Sequence, residues 1–323
     1  MRGLKKRSRV DRPINRQGRA LRRPDYAIGI DLGGSSIKSV AVTDRGKVLT
    51  KTRLDFDADS DWAGRIREGV RQIESAQKRS AAWIGLSAPG LAEENGLSIA
   101  HMPGRLQGLE KLNWTRFLGV KKSVPVLNDA HAALVGEAWL GAARNFKNLI
   151  LLTLGTGVGG AIMIDGKLFR GTIGRAGHLG HVCLDVGGAP DICGMPGSLE
   201  MAIGNATLAA RSGGRFQSTH ALISAHRRGD RAASKIWLAS VRVLACAVAS
   251  FINILDPEAV IIGGGIARAG AALFRPLKNY LDEMEWRPTG RRVKILPAKL
   301  GEFAGAIGAA ANAINCGRNR RTT

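Results

Sequence analysis

The chain has 323 residues, 45% of them apolar, enough to bury a sizeable core and to build two lobes. Its formal net charge is +22, of which a net +12 lies in residues 1–23 and 317–323, leaving +10 on the body. No run of about 18 uninterrupted apolar residues occurs, no apolar segment follows the N-terminal charges, and the cysteines are few and scattered, so no membrane span, secretory signal or disulfide scaffold is expected.

The apolar stretch Val243 to Leu255 is bounded by Arg242 and Asp256 and interrupted by Asn253. Cys183, Cys193, Cys246 and Cys316 read as reduced thiols, so the expected setting is cytoplasmic. Residues 1–24 read as a basic, solvated tail, or as a stretch ahead of a later translation start; the sharper alternative is an arm for nucleic acid or a membrane surface. Residues 317–323 form a second basic tail, and both tails would bind polyanions without specificity. The charge left on the body would attract nucleotides or phosphorylated products.

From Tyr26 to Asp31 the pattern is an apolar strand, Gly33-Gly34-Ser35-Ser36 is a turn, and Ile37 to Val42 returns as a second strand. A third strand, Lys47 to Leu54, follows the Arg45-Gly46 turn. Trp62, Ile66, Val70 and Ile73 recur at helical spacing within Asp61 to Arg79, and Ala82 to Ser87 reads as another strand. Downstream the unit repeats: Leu149 to Leu154, the turn Gly155-Thr156-Gly157, Val158 to Ile164, and a tight hairpin at Asp165-Gly166 into Lys167 to Arg170. A helix from about Ala232 to Leu255 leads through Asp256-Pro257 into the strand Ala259 to Ile262 and the turn Gly263-Gly264-Gly265. Two copies of one unit predict a duplicated α/β fold with a central cleft. The expected lobes are residues 25–140 and 141–316, divided near Val135 to Asn145, with the last helix returning to the first lobe.

Glycine-rich turns between strands let backbone N–H groups approach a phosphate. The three turns at Gly33 to Ser36, Gly155 to Gly160 and Gly263 to Gly265 are candidates, a structural hairpin turn being the bland reading of each. None carries the Lys-Ser or Lys-Thr of a P-loop, and none has the glycine spacing of a dinucleotide-binding unit. Asp31, at the end of its strand beside the first turn, is a candidate to hold Mg²⁺ through water, because hard cations prefer carboxylate oxygens. Its alternative role is to cap that turn.

These turns, in this order, resemble the ROK (repressor, open reading frame, kinase) branch of the actin-like sugar kinases, over residues 26 to 314. The resemblance implies a duplicated actin-like ATPase fold related to ribonuclease H, with ATP and Mg²⁺ as cofactors. It implies that Gly33, Gly34, Ser35, Ser36 and Lys38, with Gly155, Thr156 and Gly157, hold the ATP phosphates across the cleft, while Gly263, Gly264 and Gly265 lie near the adenosine. Ser87-Ala88-Pro89-Gly90 and Gly301-Glu302-Phe303-Ala304-Gly305 resemble further segments of the family.

Val124 to Leu127 reads as a strand ending in Asn128-Asp129, followed by an alanine-rich helix through Trp139. Taken alone, Asp129 is a helix N-cap. The resemblance implies instead that Asn128 and Asp129 bind sugar hydroxyls and that Asp129 takes the proton of the hydroxyl being phosphorylated.

The cluster from Gly177 to His181 and Asp191 to Glu200 resembles a family segment in which a His and three Cys hold a structural zinc and two Glu hold the sugar. Here His181, Cys193 and Glu200 keep their types, while His178 replaces a Glu, and Asp191 and Ser198 each replace a Cys. Losing two thiolates makes a bound zinc doubtful. The alternatives are a remodelled site using His181, Cys193 and Asp191, with Cys183 along one strand face from His181, or a metal-free loop held by hydrogen bonds, Pro190 and Pro196. His178, His181 and Glu200 remain sugar-binding candidates, while Asn253 and His131 read as structural.

His178, and the loop Met102 to Gly108 without the family's usual Asn, blur the substrate. Glucose stands first, followed by N-acetylglucosamine, N-acetylmannosamine and fructose. The competing readings are a sugar-sensing regulator without kinase activity and a kinase that uses polyphosphate. Some 25 residues ahead of Tyr26 are too few for a helix-turn-helix domain. A homodimer is common among proteins that look like this.

Overall fold

The computed structural model describes residues 24–57, 61–102 and 106–319. The expectations for most of the basic tails and for Pro103, Gly104 and Arg105 lie outside the described residues. The first sheet is built from β1 (Tyr26–Leu32), β2 (Ser36–Thr43) and β3 (Val48–Asp55), joined by antiparallel hairpins, then β4 (Trp83–Ala88) parallel to β1. Between β3 and β4 runs α1 (Trp62–Gln77). Asp61 caps it by accepting the Gly64 amide at 2.8 Å, and Trp62, Ile66, Val70 and Ile73 are the residues it buries, so the helical spacing reported its inner face.

A small ladder of β5 (Leu91–Ala92) and β6 (Ile99–His101) and the short α2 (Trp114–Leu118) lead to β7 (Val126–Asn128), parallel to β4. Then come α3 (Asp129–Leu140) and the second sheet: β8 (Leu149–Leu154), β9 (Val158–Ile164) and β10 (Lys167–Phe169). Asp165 and Gly166 turn the β9–β10 hairpin at φ 51° and 74°, the left-handed pair such a two-residue turn requires. Four helices follow: α4 (Leu199–Ile203), α5 (Leu208–Arg211), α6 (Thr219–Arg227) and α7 (Arg231–Leu255). The chain closes with β11 (Ala259–Gly263), α8 (Ala271–Met284), β12 (Lys294–Pro297) and α9 (Ala304–Asn319).

The strand orders are β3-β2-β1-β4-β7 and β10-β9-β8-β11-β12, each an antiparallel hairpin pair extended by two parallel strands. The duplication expected from the repeated glycine turns is thus present in the topology. Helix α7 corrects the sequence expectation in one respect, since its 25 residues are long and apolar enough to cross a membrane by length and composition alone. Its Trp237, Val241, Leu244, Val248 and Phe251 are instead buried against α8 and the second sheet, which makes it the core helix of that half.

Two helices lie between the sheets and exchange sides. Helix α3 follows the first sheet but packs Ala133 and Leu134 on Leu149, Leu151 and Ile261 of the second. Helix α9 follows the second sheet but packs Ala306, Ile307 and Ala310 on Ala27, Val40 and Trp83 of the first. They cross where Gly136 faces Gly308, and a Cβ on Gly136 would lie 2.5 Å from the carbonyl oxygen of Ala304. No side chain larger than hydrogen fits that crossing.

Candidate active site

Strands β1, β4 and β7 run parallel, so their carboxyl ends share one edge: Asp31 pairs with Ser87, and Ala88 with Asn128. Ligands of open parallel sheets bind beyond such an edge. Asp31 accepts the Ser87 hydroxyl at 2.7 Å, and Lys38 Nζ stands 3.8 Å from its other oxygen. Burial pushes its carboxyl up to about 6, against the lowering effects of Lys38 and Ser87, and the neighbouring Asp129 charge adds to the rise. A buried carboxylate left so incompletely neutralised suits a cation.

Asn128, not Asp129, is the N-cap of α3, which corrects the reading of Asp129 taken alone. The Asn128 Oδ1 accepts the amides of Ala130 at 2.9 Å and His131 at 3.3 Å, and its Nδ2 donates to the Gly90 carbonyl at 3.0 Å. Asn has the shorter reach back to both amides from the preceding position, which leaves Asp129 as the first helical residue. One Asp129 oxygen accepts the Ala130 amide at 2.8 Å. Its side chain reaches solvent, yet protein surrounds it closely enough that desolvation raises its pKa, opposed by the Ala130 amide and by the charge of His178.

Asp31 and Asp129 line one cavity of about 170 Å³ together with Thr153, Gly263 and Gly264 of the second sheet. Gly264 holds φ 85° there, the one positive φ among the glycines of the three turns. A second cavity, of about 500 Å³, is lined by Gly155 and Thr156 from one turn and Gly265 from another, with Asn205, Thr219, His220, Arg227 and Arg268. The second and third glycine turns therefore line these cavities, while the first turn reaches the smaller one only through the adjoining Asp31. The first hairpin closes through Gly33 N–H to Ser36 O at 2.9 Å, with Ser35 O accepting the Phe56 amide.

Glu200 lies behind the turn of β8 and β9. Its Oε2 accepts the Val158 amide at 2.9 Å and occupies the space a Gly157 side chain would need. The Gly155 and Thr156 carbonyls accept the amides of Asn205 and Ala206, both at 2.9 Å. His178, half-buried, donates from Nδ1 to Arg175 O at 3.0 Å and stands edge-on to His131, ring centroids 6.1 Å apart. His131 donates to Ala176 O, and burial pushes its pKa down to about 4, so it is a neutral support beneath the 176–178 segment.

One buried group that carries the frame, and the lining of the larger cavity, escaped the sequence reading. Glu137 is fully buried on α3 and accepts the amides of Ala142, Lys299 and Leu300 at 2.6, 2.9 and 2.8 Å, joining α3 to the approach to α9. Its charge inside a largely apolar run was visible in the sequence, but its partners at Lys299 and Leu300 were not. The polar lining from Asn205 to Arg227 had no such signal, because those residues converge only through the packing of α6.

His181, Asp191 and Cys193 gather with candidate ligand atoms within 4.8 Å of one another. Cys183 does not join them, which corrects the shared-face expectation: Leu179–His181 is a 3₁₀ turn rather than a strand, and Cys183 pairs across a bridge with Ser198. Cys193 is the one thiol in the cluster and it is exposed. With one such thiol, and with Ser198 engaged in capping α4, the donor set does not fit a structural zinc.

A family model described as "ROK family" matches residues 27–315. A glucokinase of Thermotoga maritima is 34% identical over 308 residues, covering 88% of this chain and 95% of that protein. The solved ROK hexokinase of Thermus thermophilus superposes with a TM-score of 0.79 at 28% identity, covering 91% of this chain and 99% of that one. The ROK family glucokinase of Streptomyces griseus, solved in complex with glucose and AMPPNP, gives 0.74 at 25% identity, covering 90% and 99%. The chain belongs to the ROK family.

Proposed function

We propose that the protein is a sugar kinase that transfers the γ-phosphoryl group of ATP to a hexose hydroxyl, with glucose as its first substrate and Asp129 as the base. The observation that carries this reading is the shared cavity, in which Asp129 and Asp31 face Gly263 and Gly264 across the gap between the sheets. The names of its relatives, glucokinase and hexokinase, support the reaction class.

Phosphoryl transfer asks a protein mainly for alignment and charge neutralisation, with one carboxylate at the nucleophile. Asp129 has one oxygen tied to the Ala130 amide, and the other is assigned to accept the hydroxyl proton. Asn128 spends one N–H on Gly90, which leaves its second N–H for a sugar hydroxyl. His178 has its Nδ1 proton engaged by Arg175 O, so its Nε2 in the neutral ring is an acceptor. Together with His181, it is assigned to the sugar's hydroxyls.

Magnesium, when bound, neutralises the phosphate oxygens, and Asp31 is the carboxylate that would hold it through water. Lys38, Gly33 to Ser36 and Gly155 to Gly157 are assigned to the phosphates. The 500 Å³ cavity beside Gly265 is assigned to the nucleoside. Residues 25–140 and 141–316 are read as the lobes on either side of the cleft.

The test is a coupled ADP-release screen across glucose, fructose, N-acetylglucosamine and N-acetylmannosamine, run beside sugar phosphate detection with polyphosphate as donor. Glucose-dependent ADP release is expected. Sugar phosphate formed only with polyphosphate would replace the donor, and no turnover with any sugar would overturn the reading.

A further inference from the structure

The family's usual zinc would hold together the segment that carries His181, and this chain lacks the thiols for it. The same segment is nevertheless closed on itself. Residues Pro190 and Pro196 face each other across a bridge, Asp191 N–H bonds Met195 O at 2.9 Å, and Leu184 N–H bonds Gly197 O at 3.0 Å. At the centre stands the Asp191 side chain, 0% exposed. Its Oδ1 accepts the amides of Cys193 at 2.8 Å and Met195 at 3.0 Å, and its Oδ2 takes the His181 Nδ1 proton at 2.7 Å.

We propose that Asp191 is a positioning residue that takes the place of the metal: an anionic centre for hydrogen-bond donors where relatives have a cationic centre for thiolates. The two arrangements have opposite requirements. A metal needs lone pairs directed at a common point, whereas both Asp191 oxygens are already engaged by N–H donors that a cation would have to displace. The substitutions are matched: Asp at one former thiolate position supplies the acceptor, and Ser at the other supplies a hydroxyl.

The arrangement also sets the chemistry of His181. With Nδ1–H given to Asp191, the neutral ring presents Nε2 as an acceptor, as a carboxylate behind a ligand histidine does. This step rests on the reading that His181 holds a sugar hydroxyl. The Nε2 lone pair would then accept the proton of that hydroxyl in the bound sugar.

The experiment uses the full chain and two variants, Asp191→Asn and Asp191→Ala. Zinc per chain is measured after dialysis against EDTA and again after reloading with zinc chloride, alongside the thermal midpoint. The wild type is expected to carry no stoichiometric zinc and to show the same midpoint in both states. Asp191→Asn keeps an oxygen for the Cys193 and Met195 amides but turns an N–H toward His181, forcing the ring to present Nε2–H outward. It is expected to keep a midpoint near wild type, while the sugar KM rises about tenfold or more and kcat changes less. Asp191→Ala, which loses every acceptor, is expected to lower the midpoint as well.

One tightly held zinc per chain whose removal lowers the midpoint would overturn the proposal, as would a wild-type sugar KM in Asp191→Asn. Zinc content and midpoint are read whether or not any hexose is phosphorylated. A protein without turnover therefore refutes the kinase reading alone, and a zinc-dependent fold refutes this one alone.

Discussion

Gly305, the second residue of α9, stands so close to Asp31 that a Cβ there would lie 2.6 Å from Oδ1. The carboxylate proposed to hold the cation is thus wedged between the Ser87 hydroxyl and the start of a helix. Gly305→Ala is expected to displace Asp31 and to lower kcat/KM for MgATP by about tenfold or more, since small misplacements at a reacting site are amplified. Titration of activity with magnesium checks it, and an unchanged magnesium dependence would detach Asp31 from the cation.

Asp129→Asn preserves shape and removes the base. Turnover is expected to fall by about 10³-fold, within the usual range for a general base, while glucose binding measured by calorimetry persists. Near-normal turnover in this variant would eliminate Asp129 from the role.

The Asp31 carboxyl titrates near 6 instead of 3.8. In the role proposed for it the active form is the carboxylate, so kcat/KM at limiting magnesium is expected to fall as pH drops through about 6. Stability follows the opposite sign. Between about 4 and 6 the folded chain binds this proton more readily than the unfolded one, so the group's contribution rises as pH falls through that window, by at most about 3 kcal/mol. Comparing the pH dependence of the thermal midpoint in wild type and Asp31→Asn isolates the effect. Parallel curves would contradict it.

Glu137→Ala removes the acceptor of three partly buried amides at once. A loss of about 3 kcal/mol or more and a midpoint lower by on the order of 10 °C are expected, read by thermal denaturation. Glu137→Gln, which keeps an acceptor for Lys299 and Leu300, should fall between the two.

Local signals were the legible ones. The spacing of Trp62, Ile66, Val70 and Ile73 named the buried face of α1, and the glycine turns announced both hairpins, because each depends on a few neighbouring residues. Where two adjacent residues could do the same work, as Asn128 and Asp129 could at the start of α3, spacing did not separate them, and geometry gave the cap to Asn128. Glu137 and the lining of the larger cavity depend on amides and side chains more than a hundred positions apart or on how α6 packs, which no window of sequence contains. The altered cysteine positions were visible as departures, but not the hydrogen bonds that Asp191 makes in their place.

At the place where α3 and α9 meet, Gly136 and Gly308 bring main chain against main chain with no clearance. A methyl group added to either would act as a shim between the two halves of the molecule and change the gape of the cleft at its far end. The aperture of the cleft is therefore gauged by two hydrogen atoms beside Ala133, Glu137 and Ala304, which line the smaller cavity.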